Sequence, residues 1–285
     1  MKWGWLVYES ADLAQNRDFA EYVEQQGKQR GVKIETVRTA QLALGTSACG
    51  ALTLRKDGRE SLPDFVIARH RDALLSEQFE RLNIPVFNGS RVSAFCNDKR
   101  RTHQFLQGLP MMETQFVNHR YAVAPAEGAY PLVLKPANGH GGDRVALVTN
   151  EYEWREAADA ILPQDMVQQT VADGAGRDLR VYVLFGEIVA GVMRTAKRGI
   201  VSNFKRGGDV ALHTPDDRER ALAGEVIARF AQAGAPLCFA GIDLIYHQDA
   251  PVLNEVEDVV GSRMLYRVSK EDIVSRYLDA LLDRL

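Results

Sequence analysis

The sequence predicts an α/β protein whose carboxyl-terminal part is α+β. Strand-like and helix-like segments alternate up to residue 88, a pattern typical of a small parallel sheet. After residue 88, long strand-like runs follow one another with only short polar or glycine connectors, which favours antiparallel pairing. We therefore expect two domains, at residues 1–88 and 89–285.

The composition excludes several classes of protein. Of the 285 residues, 46% are hydrophobic and 26% charged, which is ordinary for a globular protein. The net charge of −3 gives no electrostatic footprint for nucleic acid, and no apolar run approaches the roughly 20 residues of a membrane span. Three cysteines without paired spacing, Cys49, Cys96 and Cys238, indicate neither a disulfide framework nor a zinc site. Because the first residues also lack a signal-peptide pattern, we expect a cytoplasmic protein without nucleic-acid or membrane partners; a homo-oligomer is compatible with this composition.

In the first domain, short apolar runs bounded by turn residues predict strands, and apolar residues at helical spacing predict helices. Gly31 ends the first helix, and Pro85 places the last strand at a sheet edge or makes it a strand start. The predicted segments are strands at residues 3–8, 32–37, 64–68 and 84–88, a hairpin around 52–58, and helices at 12–30 and 72–82.

In the second domain, the same patterns predict helices at residues 90–96, 99–106, 151–161, 217–233 and 269–285. The last helix has Ser269 and Asp272 as a capping pair and a continuous apolar stripe. Strands are predicted at residues 131–136, 145–148, 166–171, 178–185, 187–194, 238–246 and from 252 onward.

Three carboxylates stand out in the last two strands. Glu255 and Glu257 are two residues apart, so both side chains point to one face of their strand. If Tyr246 pairs with Val252 across a polar connector, the register places Asp243 opposite Glu255, on this same face. Like charges this close repel one another, and a hard divalent cation such as magnesium relieves the repulsion. The alternative is that both glutamates face solvent on an edge strand.

A glycine loop made of Gly139, His140, Gly141 and Gly142 joins two predicted strands. It is therefore neither a P-loop nor a dinucleotide fingerprint. Glycines let the backbone approach phosphate oxygens and offer amide donors, although an ordinary turn is the alternative. Lys135 ends the apolar strand before this loop, where a lysine either contacts a phosphate or extends into solvent.

Charged residues also interrupt the long strands. Asp178 and Arg194 lie in segments of otherwise buried composition, so the arginine is expected to pair with an acid or with an anionic ligand. A second polar loop, residues 202–208, contains Asn203, two cations and two glycines. A solvated surface loop is the alternative interpretation there.

The order of these residues resembles the ATP-grasp superfamily and, within it, the RimK-type carboxylate–amine ligases. The resemblance covers about residues 90–285 and implies an ATP-grasp fold, with a lid subdomain at about residues 110–166, preceded by a small parallel α/β domain. It rests on seven motifs in sequence order: Asn97-Asp98-Lys99, Lys135-Pro136 with the glycine loop, Val167-Gln168-Gln169, Asp178-Leu179-Arg180, Ser202-Asn203-Phe204 with Gly207-Gly208, Gly241-Ile242-Asp243, and Glu255-Val256-Glu257 with Gly261.

The resemblance implies ATP and magnesium as cofactors, with two ions expected and manganese as an alternative. The two lysines would contact the phosphates, the glycine loop would close over them, and the backbone near residues 167–169 would hold adenine. The nucleotide-binding residues would be Lys99, Lys135, Gly139, His140, Gly141, Gly142, Gln168, Gln169 and Asp178. The metal ligands would be Asp243, Glu255 and Glu257, and the residues facing the acyl phosphate Arg194 and Asn203.

The chain departs from the family pattern at several positions. Gln169 and Glu257 stand where RimK-type proteins usually carry glutamate and asparagine, and the second change keeps an oxygen ligand. The loop before residue 202 is one residue shorter, and Val201 stands where an arginine is common. Lys197 or Arg198 would have to supply the contact that this arginine makes.

We therefore expect an ATP-dependent ligase that joins a carboxylate to an amine through an acyl phosphate and releases ADP and phosphate. Small-molecule and peptide substrates both fit. Arg263 follows the metal strand directly and is expected either to hold a substrate carboxylate or to brace the loop through Asp258 or Glu257. The alternatives are a thiol ligase or small-molecule kinase on the same scaffold, a non-catalytic ATP-binding protein, and a glycoside hydrolase that uses the paired glutamates.

Overall fold

The structure, a computed structural model, describes residues 2–196 and 208–285. We call residues 2–88 the first lobe. Its parallel sheet consists of β1 (Trp3–Tyr8), β2 (Lys33–Arg38), β6 (Phe65–Arg69) and β7 (Val86–Phe87), in the order β2-β1-β6-β7. β1 and β6 are buried along nearly their whole length, as central parallel strands covered on both faces are. The predicted parallel sheet is confirmed, and β7 lies at its edge, directly after Pro85.

Three helices and a small antiparallel sheet complete the first lobe. They are α1 (Ser10–Gln15), α2 (Arg17–Gln29) and α3 (Ala73–Arg81), with β3 (Leu42–Thr46), β4 (Leu52–Lys56) and β5 (Arg59–Glu60). The prediction of one continuous helix over residues 12–30 was wrong, because Asn16, at φ −127° and ψ 26°, separates α1 from α2. The predicted hairpin is confirmed: Asp57 and Gly58 both have positive φ and join β4 to β5.

Two antiparallel sheets follow the first lobe. The small sheet has the order β10-β9-β11-β8, with β8 (Thr114–Val117), β9 (Leu132–Pro136), β10 (Ala146–Val148) and β11 (Met166–Thr170). The large sheet has the order β14-β13-β12-β15-β16, with β12 (Arg177–Leu184), β13 (Glu187–Thr195), β14 (Asp209–His213), β15 (Phe239–His247) and β16 (Ala250–Glu257). β8 and β14 were not predicted, because both are short edge strands whose side chains are largely exposed and lack a core-facing pattern.

The helices after the first lobe are α4 (Ser90–Cys96), α5 (Lys99–Phe105), α6 (Glu151–Ile161), α7 (Asp217–Gln232), α8 (Arg263–Val268) and α9 (Ile273–Leu282). The last helix was predicted to begin at Ser269, which was wrong. Asp272 alone caps α9, accepting from the N–H of Ser275 at 3.0 Å, whereas Ser269 is extended and ends α8. α8 was not predicted.

A single hydrophobic core joins the first lobe to the large sheet. Leu6 and Tyr8 of β1 belong to the same buried cluster as Tyr182 of β12, Val192 of β13 and Tyr277 of α9. On the opposite face of the large sheet, α4, α5 and α7 contribute to a second cluster. The large sheet is therefore covered on both sides, and the first lobe is fixed against one of them.

Asn88 also connects the first lobe to the large sheet. The residue directly follows β7 and is 4% exposed. Its side-chain amide donates to the carbonyls of Phe239 at 2.9 Å and Asp258 at 2.8 Å, and its oxygen accepts from the N–H of Cys238 at 2.6 Å. One side chain thus holds together the start of β15 and the segment that leaves β16.

We predict that Asn88→Ala lowers the free energy of unfolding by about 3 kcal/mol, because it leaves buried backbone groups at Cys238, Phe239 and Asp258 without partners. Urea denaturation followed by circular dichroism measures the loss. Asn118→Ala is the matched control, since this exposed side chain accepts from the N–H of Arg120 at 3.0 Å and has no other partner among the described residues. Its loss should cost about 1 kcal/mol or less. Equal losses in both variants would contradict the connecting role of Asn88.

Candidate active site

The carboxylates of Asp243, Glu255 and Glu257 converge on one face of the large sheet. Each offers an oxygen atom, and these atoms lie within 4.8 Å of one another. Asp243 pairs with Glu255 across β15 and β16, as predicted, and Glu257 lies opposite Gly241. A set of oxygen donors at this separation suits magnesium, so the donors that the chain provides fit the ion that the resemblance implies.

The register near the turn of this hairpin differs from the predicted one. The connector is a two-residue turn, so Tyr246 pairs with Pro251 rather than with Val252. A β-bulge at Asn254 then adds one residue to β16 and restores the predicted pairing at the carboxylates. The side-chain oxygen of Asn254 accepts a hydrogen bond from Lys135 Nζ at 3.1 Å. The bulge therefore both aligns the acids and anchors a cation beside them.

Two buried arginines surround Asp243. Arg180 donates to both carboxylate oxygens, at 2.7 and 2.6 Å, and Arg194 donates to one of them at 2.6 Å. Arg194 also pairs with Asp178 at 2.5 Å, while Arg180 lies 2.9 Å from Glu257. Although burial acts to raise it, these guanidiniums hold the pKa of Asp243 at about 2. The expectation that the buried Arg194 pairs with an acid is confirmed.

The negative charge of Glu255 is compensated much less than that of Asp243. Among residues 2–196 and 208–285 it has no arginine partner, and its nearest cation is Lys99, 4.0 Å from its carboxylate. Burial raises the pKa of Glu255; Lys99 opposes this rise, whereas Glu257 and Asp243 add to it. A divalent cation would supply the positive charge that this part of the site lacks.

Two lysines approach the carboxylates from α5 and β9. Lys99, at the start of α5, donates to the carbonyl of Gly139. Burial lowers the pKa of Lys135 to about 8; Glu255 opposes this shift and Lys99 adds to it. Two ammonium groups held close together favour an anionic ligand such as a phosphate.

The glycine loop connects β9 to β10 beside these lysines. Gly141 and Gly142 have φ values of 66° and 74°, a conformation that favours glycine. A side chain at Gly139 would lie 3.0 Å from Pro136. Together with His140, the three glycines line the same cavity as the lysines. The backbone is thus free to lie against a bound phosphate chain.

The two glutamines of β11 point in opposite directions. Gln168 is buried, accepts from the indole N–H of Trp154 at 2.9 Å and donates to Gln115 at 2.8 Å. Gln169 donates to Thr114 at 2.8 Å and lines the cavity. Only Gln169 therefore offers its side chain to a ligand, and a contact of Gln168 with adenine would have to come from its backbone.

One cavity of about 480 Å³ connects these groups, a size typical of ligand sites. Its other wall is formed by first-lobe residues near the carboxyl ends of β1 and β6. These residues, which the sequence analysis did not identify, are Tyr8, Asp12, Gln15, Asn16, Arg69 and Arg71. The sequence does contain one indication of these residues. Ligands bind at the carboxyl ends of parallel strands, and Arg69-His70-Arg71 lies at the end of β6.

Arg263, the first residue of α8, also lines the cavity. The two acids proposed to brace it have other partners: Glu257 pairs with Arg180, and Asp258 accepts from Asn97 at 3.0 Å. Within the described chain, Arg263 makes no hydrogen bond or ion pair. The remaining candidate residues, Asn203 with Lys197, Arg198 and Val201, lie outside the described residues.

The sequence and the fold of the chain are similar to those of known proteins. A family model of the RimK-like ATP-grasp domain matches residues 97–281. The probable alpha-L-glutamate ligase 2 of Shewanella frigidimarina is 32% identical over 211 residues, covering 69% of this chain and 67% of the relative. The probable alpha-L-glutamate ligase of Vibrio parahaemolyticus is 27% identical over 278 residues, covering 90% and 89%. The crystal structure of a D-cycloserine synthetase shares the fold, with a TM-score of 0.72, 18% identity and 99% coverage of both chains.

The fold and this constellation of acids and lysines define an ATP-dependent carboxylate–amine ligase. The chain belongs to the RimK-like ATP-grasp family, whose domain model spans more than half of its length. ATP and magnesium are the cofactors of this family. Between residues 2 and 196 and between 208 and 285, no helix is both long enough and apolar enough to cross a membrane.

We predict that Lys135→Met weakens the binding of Mg-ATP about tenfold or more, since a hydrogen bond to a charged group is worth roughly 1.5–3 kcal/mol. Isothermal titration calorimetry measures the affinity. Thermal stability should not fall, because the buried ammonium is costly to desolvate in the folded chain. Lys270→Met, at an exposed position, is the control and should bind ATP normally. An unchanged affinity in Lys135→Met would exclude a phosphate contact.

Proposed function

We propose that this ligase activates its acid substrate beside the carboxylates of β15 and β16 and joins it to the amine of an amino acid. The observation that carries the proposal is the cavity that Glu255 and Glu257 line together with two lysines and Arg263, with the buried Asp243 directly beside the two glutamates. The relatives named alpha-L-glutamate ligases support L-glutamate as the amine substrate.

The reaction requires activation because a carboxylate is a poor electrophile. ATP supplies the phosphoryl group that converts the acid into an acyl phosphate, which the amine then attacks with release of phosphate. Lys99 and Lys135 bind phosphate oxygens and so reduce the repulsion between the nucleotide and the anionic acid. Magnesium, as two ions, would offset the remaining negative charge, and manganese has the same preference for oxygen donors.

The three metal ligands do not contribute equally. Both oxygens of Asp243 already accept from guanidiniums, whereas Glu255 and Glu257 are partly exposed to the cavity. Each carboxylate oxygen has two lone pairs, so Asp243 retains acceptor capacity for an ion while its position stays fixed. Glu255 provides the largest share of uncompensated charge and is the principal metal ligand in this proposal.

Arg263 holds the carboxylate of the acid substrate. Its guanidinium lines the cavity and its fork of N–H donors matches a carboxylate in a bidentate contact. Arg194 lies across the metal site but is engaged with Asp178 and Asp243, so it acts on the reacting groups mainly through the field of its charge.

The glycine loop and the small sheet act as the lid of the site. In this proposal they exclude water from the acyl phosphate, which hydrolysis would otherwise destroy. The lid corresponds to the predicted subdomain at about residues 110–166, and the first lobe to the predicted domain that ends at residue 88.

We predict that ADP is released only when Mg-ATP, an acid and an amine are all present, in a screen of carboxylic acids with L-glutamate and other amines. Glu255→Gln should reduce the rate about 100-fold or more, because it removes the principal metal ligand. Circular dichroism should show an intact fold. The matched control is Glu225→Gln, whose exposed side chain pairs, in the part of the chain that the structure describes, with Arg229 alone at 3.2 Å.

Other outcomes of this screen favour other functions. ADP release without any amine would indicate a small-molecule kinase, and release only with thiols a thiol ligase. ATP binding without release under any condition would indicate a non-catalytic protein. Normal turnover in Glu255→Gln would remove the metal site from the proposal.

We predict that Arg263→Lys raises KM for the acid about tenfold or more while KM for ATP stays constant, because lysine keeps the charge but loses the bidentate contact, worth roughly 1.5–3 kcal/mol. Steady-state kinetics of ADP release measure both constants. Arg276→Lys, in an exposed ion pair with Glu271, is the control. If only thermal stability falls, Arg263 has a structural role and the acid binds elsewhere.

A further inference from the structure

Arg71 lies on the first-lobe wall of the cavity, just after β6, and is held there by one ion pair. Its Nη1 donates to the carboxylate of Asp12 in α1 at 2.5 Å. The two side chains are 22% and 21% exposed, so both remain accessible from the cavity. Among the residues that the structure describes, the guanidinium has no other acceptor.

The contact with Asp12 uses only part of the N–H donors of the Arg71 guanidinium. A guanidinium has five N–H donors, and this ion pair employs one nitrogen. The remaining edge, formed by Nε and Nη2, is one that makes parallel hydrogen bonds to a carboxylate. Asp12 therefore orients the guanidinium of Arg71 without occupying it.

Positive charge exceeds negative charge at this end of the cavity. Arg69 is 5% exposed, donates to the carbonyl of Val260 at 2.9 Å and stacks over the ring of Phe19 at 4.8 Å, with no acid partner in the described chain. Among the described first-lobe residues that line the cavity, Arg69 and Arg71 supply two guanidiniums and Asp12 the one carboxylate. An anionic group of a ligand would balance this excess.

Asp258, another acid near these arginines, does not balance it. The residue is 5% exposed, accepts from Asn97 at 3.0 Å and does not line the cavity. Among the described residues, no hydrogen bond or ion pair joins this carboxylate to Arg71, whose side chain pairs with Asp12.

We propose that Arg71 binds a carboxylate of the amino-acid acceptor that takes no part in the reaction, and that Asp12 is its positioning residue. The inference rests on the proposed function. An amino acid that attacks through its amine keeps its α-carboxylate throughout the reaction, so the acceptor always brings an anion that needs a partner. The reacting acid is assigned to Arg263, at the start of α8, which leaves Arg71 on the first-lobe wall for the acceptor.

The test pairs the variant Arg71→Lys with acceptors that each lack one carboxylate. L-glutamate is compared with 4-aminobutyrate, which lacks the α-carboxylate, and with L-glutamine, which lacks the γ-carboxylate. Arg71→Lys should raise KM for L-glutamate about tenfold or more, with KM for ATP and for the acid unchanged. For one of the two analogues the variant should change KM less than about twofold, because the contact is already absent. That analogue identifies the carboxylate that Arg71 binds.

Two further variants separate a binding role from a structural one. Arg81→Lys is the matched control, since Arg81 also pairs with an acid, Glu77, at 2.6 Å but lies on the exposed face of α3. It should leave every KM unchanged. Asp12→Asn should raise KM for L-glutamate in the wild-type background but add nothing in the Arg71→Lys background. No effect of Arg71→Lys on L-glutamate, or equal effects on all three acceptors, would overturn the proposal.

Calorimetric titration of L-glutamate in the presence of Mg-ADP tests the subsite without turnover. If L-glutamate binds the wild type and Arg71→Lys weakens this binding, the subsite stands even where no acid supports ADP release, and only the proposed ligation fails. If amines other than amino acids support ADP release and L-glutamate does not bind, the subsite is overturned while the ligation stands. The absence of both binding and turnover would overturn both.

Discussion

The carboxylate of Asp243, 0% exposed and bound by Arg180 and Arg194, is the interaction on which the site depends. A buried carboxylate costs several kcal/mol unless cations and hydrogen bonds compensate it. Arg180 also binds Glu257, and Arg194 also binds Asp178. The ion pairs therefore connect four strands of the large sheet. Removing one member would leave an uncompensated charge, and the network therefore keeps β12, β13, β15 and β16 in one alignment.

The same network explains how positive and negative charges are distributed in the cavity. Because Arg180 and Arg194 are bound to Asp243, the cations that act on Glu255 are Lys99 and Lys135, and Glu255 remains open to a metal ion. Within residues 2–196 and 208–285, Lys135 has no carboxylate at hydrogen-bonding distance and donates to the amide oxygen of Asn254, so it remains open to phosphate. Arg71 and Arg263 line the same cavity and bring positive charge to the places where we propose that the anionic substrates bind. A nucleotide, an acid and an acceptor are thus each expected where opposite charge is available.

Much of this arrangement was predictable from local patterns, and the rest depended on contacts between distant segments. The strand at residues 3–8 and the helix at 151–161 have the predicted bounds, since their apolar spacing is strong and turn residues flank them. The pairing of Asp243 with Glu255 was predicted correctly although the turn was not, because the bulge at Asn254 compensates for the shorter connector. No local pattern relates Arg71 to Arg263, which are 192 positions apart and meet only in the folded chain.

The distribution of hydrophobic cores determines which wall of the cavity is free to move. The first lobe shares a core with the large sheet and α9, and Asn88 adds buried hydrogen bonds between them, so separating these parts would expose a large apolar surface. The small sheet and α6 instead pack around a core of their own. Their links to the rest include the N–H of Lys99 to Ala137 at 2.9 Å and the side chain of Asn138 to Asn97 at 2.9 Å. A unit with its own core can rotate without unfolding, so we expect the small sheet to move when the site closes, while the arginines of the first lobe and the carboxylates of the large sheet stay in place.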